Sequence, residues 1–186
     1  MDWNFYKGKI VLVTGHTGFK GSWLIRWLQN IGANVIGLSI DTPTIPSNFE
    51  TIKYSLNFID LRCDINDLDK LIEIFRKYQP DMVFHLAAQP IVKKSYENPL
   101  YTFRTNSIGS INIMQAATEC KKLPALLMIT SDKCYQNKEW YFGYREIDSL
   151  GGNDPYSASK AAAEILIKSF YSSYCSTNNK ILRLAT

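Results

Sequence analysis

Histidine and cysteine are scarce, two and four residues in a chain of 186. Cys63, Cys120, Cys134 and Cys175 are scattered, with no C-x-x-C pair and no Cys/His cluster, so neither a zinc site nor a disulfide framework is indicated. Unpaired thiols suit a reducing compartment. Long apolar runs are missing as well. No stretch approaches the ~20 residues that span a bilayer, and the opening MDWNFYKGK lacks the apolar region of a secretory signal. A strong excess of one charge is also absent: 21 Lys and Arg against 17 Asp and Glu leave a net charge of +4, with no basic run to serve as a nucleic-acid footprint. The expectation is a soluble, cytoplasmic protein without metal, membrane or nucleic-acid partners.

What is present belongs to a globular domain, with 46% hydrophobic and 20% charged residues. Short apolar runs at 10–13, 34–40, 57–61, 82–88, 125–130 and 180–185 read as strands buried on both faces. Helical periodicity fills most gaps between them. Phe19, Trp23, Trp27 and Ile31 repeat every four residues and predict a core face, with Trp23 and Trp27 inside. Leu68, Leu71, Ile72, Phe75 and Tyr78 mark a second face, Ile108, Ile111 and Ala117 a third, and Ala158, Ala162, Ile165 and Ser169 a fourth. Residues 41–56 contain Pro43 and Pro46 and read as a loop with at most a short helix. Strands alternating with helices predict an α/β fold, a doubly wound parallel sheet of Rossmann type with helices on both faces.

The first strand runs into Gly15-x-x-Gly18-x-x-Gly21, followed by a helix. Glycines at this spacing allow a tight turn and close approach of backbone to a pyrophosphate, and the helix N-terminus offers N–H groups to the anion. Thr17, Phe19 and Lys20 lie in the same loop, and Lys20 is placed to help neutralise phosphate. His16 reads as a residue shaping the turn. Asp41, just past the second strand, is placed to bond a ribose, and Asp64 to reach an adenine amino group. No arginine stands near Asp41 to meet a 2′-phosphate, which favours NAD over NADP. Tyr156 and Lys160 are four apart in the helix opened by Asp154-Pro155, so they share one face. A phenol titrates near 10, and a neighbouring ammonium makes it a usable base. Ser131-Asp132-Lys133 follow the fifth strand, at the sheet edge where doubly wound folds bind ligands. His85 reads as a satisfied core histidine and Cys134 as structural.

Together these motifs resemble the extended short-chain dehydrogenase/reductase superfamily. The strings HTGFKGSWL (16–24), PTIPSNFE (43–50), HLAAQPIVKKSYENP (85–99), TSDKCYQNKEWYFGYREIDSLGG (130–152) and DPYSASKAAAE (154–164) are similar to its sugar-nucleotide 4,6-dehydratases that act on CDP-glucose. The resemblance implies NAD held by the glycine loop, Asp41, Asp64 and Ile65, the segment Leu86, Ala87, Ala88 and Gln89, Thr105, Tyr156 and Lys160. Gln89 is also a candidate contact for the sugar. It further implies that Tyr156, helped by Ser131 and Lys160, takes the C4 hydroxyl proton as hydride leaves for NAD. Water is then lost across C5 and C6, and the hydride returns to C6, giving CDP-4-keto-6-deoxyglucose. Asp132 would be the acid and Lys133 the base, the latter needing burial or a like charge to lower its proton affinity. The rival within the superfamily is a 4-epimerase, which needs no such pair. The rival outside enzymology is a non-catalytic dinucleotide-binding fragment. Two departures stand out: Ser39 occupies a position where many members carry an acid, and the family continues past Thr186 into a further strand and a substrate domain. The expected unit is therefore an NAD-binding domain over 1–186, truncated, with a homodimer formed on helices 98–117 and 155–174.

Overall fold

The computed structural model describes residues 3–175 and 183–186. Six parallel strands form one sheet in the order β3-β2-β1-β4-β5-β6. They are β1 (Ile10–Thr14), β2 (Asn34–Ser39), β3 (Ile59–Arg62), β4 (Met82–His85), β5 (Ala125–Met128) and β6 (Leu184–Ala185). This is the expected doubly wound architecture, and all six strands fall within or beside the predicted runs. The part of the sixth run at 180–182 lies outside the described residues. The order reverses between β1 and β4, which are paired with Thr14 opposite His85. Ligands bind at such a reversal, beyond the C-terminal strand ends.

Strand alternation sends side chains to both faces, and both are covered. Leu12 joins Leu38, Phe75, Ile113, Met128 and Ile167 on one side. Val11 and Val13 join Ile25, Leu28, Val35 and Phe49 on the other. The helices are α1 (Phe19–Asn30), α2 (Asn48–Ile52), α3 (Leu68–Tyr78), α4 (Val92–Glu97), α5 (Pro99–Phe103), α6 (Gly109–Thr118) and α7 (Pro155–Phe170). A π-helical segment, Arg104–Ile108, joins α5 to α6. Four helices are capped by side chains at their starts: Ser47 accepts from Glu50 N–H, Asp67 from Lys70 N–H, Asn98 from Tyr101 N–H and Asp154 from Ser157 N–H. The loop from 41 to 56 contains only the short α2 and one 3-10 turn, as expected.

Three predicted faces are corrected. On α1, Phe19, Trp23 and Trp27 are exposed, while Gly21, Ser22, Ile25 and Leu28 face inward. The cause is a backbone approach. A Cβ at Gly21 would lie 2.2 Å from the Gly15 carbonyl oxygen, so position 21 must face the loop, and that sets the rotation of the helix. On the face expected from Ile108, Ile111 and Ala117, Ile108 is exposed, and Ile113, Met114, Ala116 and Ala117 face inward. On α7, Ile165 is exposed, and the inward residues are Ser157, Ser159, Lys160, Ala161, Ala163 and Ile167. Small and hydrogen-bonded polar side chains make that contact. Asn106 Nδ2 donates to Ser159 Oγ at 2.9 Å and Ser107 Oγ donates to the Ser159 carbonyl at 2.9 Å, tying the 99–118 helix to α7.

Candidate active site

A cleft of about 450 Å³ opens at the C-terminal ends of β1, β2, β4 and β5. Its floor is the turn between β1 and α1. Gly15 has φ +73°, and a Cβ there would stand 2.7 Å from Ala87 N. The turn and the segment after β4 are therefore in backbone contact, and both line the cleft. Gly18 caps α1 without a side chain, so the first N–H groups of the helix face the cleft unscreened. A loop without Cβ atoms at the close approaches, ending at a helix N-terminus, fits the pyrophosphate of a dinucleotide.

Most of the residues expected to hold the cofactor line this cleft. Gly15, Thr17, Gly18, Phe19, Lys20 and Gly21 line one side. Asp41, Asp64 and Ile65 line the end under β2 and β3, and Leu86, Ala87, Ala88 and Thr105 the wall beyond β4. Tyr156 and Lys160 complete it from α7. Thr17 Oγ1 donates to the Asp41 carbonyl at 2.6 Å, which fixes the loop after β2 against the glycine turn.

Four predicted residues lie elsewhere. Gln89 is buried outside the lining: its amide donates to Thr102 Oγ1 at 2.9 Å and its carbonyl oxygen accepts Ile91 N–H at 2.7 Å. Both ends of its side chain thus brace the chain after β4. Ser131 caps a 3-10 turn, Asp132–Cys134, just past the cleft wall, and Ser131 Oγ donates to Asp132 Oδ1 at 3.1 Å. Asp132 and Lys133 are exposed, so burial does not supply what the base role of Lys133 required.

The cleft wall also contains residues outside the expected cofactor set. Ser39, Ile40, Pro43, Cys63, Pro90, Tyr101, Ile129 and Thr130 share the lining. Strand ends announce Ser39, Ile129 and Thr130 in retrospect, whereas nothing local marks Tyr101 or Pro90. Cys63 is an inert wall residue, its thiol pushed up to about 11, chiefly by burial. His16 is fully buried beneath the loop. Its Nδ1 lies 2.9 Å from Ser39 Oγ, and its Nε2 lies 3.1 Å from Asp60 Oδ1 as a charge contact rather than an aligned hydrogen bond. Burial lowers its proton affinity, and Asp60 acts against that. It thus pins the glycine turn to β2 and β3.

Lys160 is 5% exposed and its Nζ donates to the Ile129 carbonyl at 3.3 Å. Burial lowers its pKa to about 8, and Glu164 opposes the fall. An amine of that value is charged at neutral pH yet close to titration. Tyr156 lies one turn earlier on α7 and lines the same cleft, so a phenol and an amine share one wall of it. His85 and Cys134 are buried, matching the structural roles expected of them. Among the described residues no group of His, Cys, Asp and Glu could hold a metal ion, and no helix is long and apolar enough to cross a membrane.

A family model described as GDP-mannose 4,6 dehydratase matches residues 12–182. The CDP-glucose 4,6-dehydratase of Salmonella typhimurium is 45% identical over 179 residues, 96% of this chain and 50% of that protein. Among solved structures, an epimerase from Methanothermobacter thermautotrophicus superimposes with a TM-score of 0.81 at 30% identity, covering 92% of this chain and 50% of that one. The UDP-glucose 4-epimerase of Thermus thermophilus in complex with NAD gives 0.75 at 28% identity, over 89% and 51% of the two chains. The chain spans about half the length of the curated relatives it matches.

Proposed function

Because this chain belongs to the GDP-mannose 4,6-dehydratase family, we propose that it is the NAD-binding part of a sugar-nucleotide 4,6-dehydratase whose substrate is CDP-glucose. The observation that carries this is the placement of Tyr156 and Lys160 on one face of α7, in the wall of a cleft floored by the glycine turn. The CDP-glucose preference is supported by the Salmonella typhimurium relative. NAD bound in this cleft would supply the acceptor for a hydride from the sugar C4 and the hydride that C6 later receives.

The chain's own residues do the rest. The N–H groups opening α1 hold the pyrophosphate, with Lys20 at the mouth. Asp41 takes the ribose hydroxyls, since the Ser39 hydroxyl is engaged by His16, and Asp64 takes the adenine end. Tyr156 removes the C4 hydroxyl proton while the Lys160 ammonium stabilises the phenolate and Ser131 orients the hydroxyl. The ketone so formed acidifies C5. Lys133 then removes the C5 proton and Asp132 protonates the departing C6 hydroxyl, so one water leaves; Lys133 gives its proton back to C5 when C6 is reduced. Both lie exposed at the rim, and a sugar covering them would supply the desolvation that Lys133 needs.

We place the protein in the cytoplasm as a homodimer, paired through the outer faces of the 99–118 helix and α7, where Leu100, Ile108 and Ile165 are exposed. Sedimentation of Leu100→Glu and Ile165→Glu variants tests this, with a persisting dimer excluding that face.

The function is tested by mixing the full chain with NAD+ and CDP-, dTDP-, GDP- and UDP-glucose and reading product mass. A product one water lighter from CDP-glucose supports the dehydratase. An unchanged mass with an altered sugar identifies an epimerase. Saturable NAD+ binding without any product identifies a cofactor domain that does not turn over alone. If turnover is found, Asp132→Ala and Lys133→Ala should each lower it by about a hundredfold or more.

A further inference from the structure

Two side-chain links tie the end of β5 to the middle of α7. Lys160 Nζ donates to the Ile129 carbonyl at 3.3 Å, and Thr130 Oγ1 donates to Glu164 Oε1 at 2.5 Å. Lys160 and Glu164 are four residues apart, so they lie on one face of α7. Ile129, Thr130, Tyr156 and Lys160 line the cleft, whereas Glu164 stands behind them, half-buried. Thr130 is followed directly by Ser131-Asp132-Lys133. Any shift of Thr130 therefore moves the whole acid/base segment relative to Tyr156.

The charge around Lys160 is sparse. His85 faces it from β4 and is neutral, and Tyr156 lies one turn back on α7. Cys134 comes from the 3-10 turn after β5, with its thiol held protonated by burial and by Glu164. Asp132 stands on that same turn, and the Lys133 charge is felt by Asp154 at the start of α7. The Ile129 carbonyl is a neutral acceptor, so it offers no counter-charge. The bond from the Thr130 hydroxyl holds the Glu164 carboxyl group in place against the end of β5.

We propose that Glu164 is a positioning residue: bonded to Thr130 and four residues from Lys160 on the same face of α7, it fixes the strand end bearing Ser131, Asp132 and Lys133 against the helix bearing Tyr156 and Lys160. The catalytic meaning of this rests on Tyr156 and Lys160 being the proton-handling pair, but the placement of the carboxylate beside Lys160, which the Lys160 titration reports, does not.

The test follows the Lys160 ammonium by NMR titration of the full chain carrying isotope-labelled lysine, with the signal assigned by its loss in Lys160→Met. Glu164→Gln keeps a carbonyl oxygen for Thr130 and removes the charge. The Lys160 midpoint should move down by about one pH unit, a tenfold loss of proton affinity. Glu164→Asp keeps the charge and should restore most of the shift. Thr130→Val removes only the donor and should give a midpoint between wild type and Glu164→Gln. An unchanged midpoint in Glu164→Gln overturns the proposal. If that variant does not fold, an unchanged midpoint in Thr130→Val overturns it instead. Where turnover is measurable, the alkaline limb of the pH profile should move down with the same variant. If Lys160→Met turned over normally, the proton-handling role would fall while the titration result stood.

Discussion

Acid should destabilise this protein through one imidazole in particular. His85 ends β4 and is sealed from water. Thr14 Oγ1 accepts the Ala87 N–H at 3.2 Å, so its own proton points to His85 Nδ1, 2.8 Å away. His85 Nε2 then carries the ring proton and donates to Ser110 Oγ at 3.2 Å, and Ser110 passes its proton to the Asn106 carbonyl at 2.7 Å. The chain of bonds is complete only with a neutral ring. Burial, and secondarily the charge of Lys160, lowers the His85 pKa from 6.5 to about 3. Between those values the unfolded chain binds a proton that the folded chain refuses. Stability from this group is therefore level above pH 6.5 and falls as pH drops toward 3. At about 1.36 kcal/mol per pH unit, the loss between pH 7 and pH 4 is about 3 kcal/mol, a large part of the roughly 5–15 kcal/mol that holds a domain together. Urea unfolding followed by circular dichroism at both pH values measures it. Carboxylates titrate over the same range, so the comparison needs a variant that lacks only the imidazole. His85→Gln keeps an acceptor for Thr14 and a donor for Ser110. Wild type should lose about 3 kcal/mol more than His85→Gln on acidification. Equal losses would mean that the folded ring accepts a proton, and the reasoning would fail.

Two further outcomes follow from packing. Gly21→Ala places a Cβ 2.2 Å from the Gly15 carbonyl oxygen, whereas Gly18→Ala places one at 3.3 Å from the same atom. The first should cost about 3 kcal/mol and remove NAD+ binding, and the second under about 1 kcal/mol, by urea unfolding and calorimetric titration; similar values for both would refute the close-approach account. Trp23 is 55% exposed and Leu28 is 0% exposed. Trp23→Gln should stay within about 0.5 kcal/mol of wild type, while Leu28→Ala should cost about 2–5 kcal/mol. The reverse order in thermal melts would return Trp23 to the core.

Much of the site could be read from sequence because its signals are local. A glycine turn between a strand and a helix carries its own backbone geometry, and Asp154-Pro155 announces the start of α7 along with the spacing of Tyr156 and Lys160. Gln89 could not be placed in this way. Its neighbours Leu86, Ala87 and Ala88 line the cleft, but partners thirteen and seventeen residues away, Thr102 and Asn106, draw residue 89 inward. Glu164 was equally invisible, since its partner Thr130 is 34 residues distant.

The strand and helix order, the parallel sheet, the phosphate-type turn and the shared face of Tyr156 and Lys160 were legible in the residues alone. Each depends on periodicity, capping and turn chemistry within a few residues. Which way the helices turn depends instead on contacts between distant parts of the chain. The every-fourth-residue repeat of Phe19, Trp23 and Trp27 is a sound helical period with the wrong inward face, because the contact of Gly21 with the Gly15 carbonyl fixes the rotation and leaves the aromatics outside. In α7 the serines and Lys160 turn inward for a related reason: Asn106, Ser107 and the Ile129 carbonyl meet their polar groups there. Periodicity locates an amphipathic stripe, but close backbone approaches and long-range hydrogen bonds select which stripe is buried.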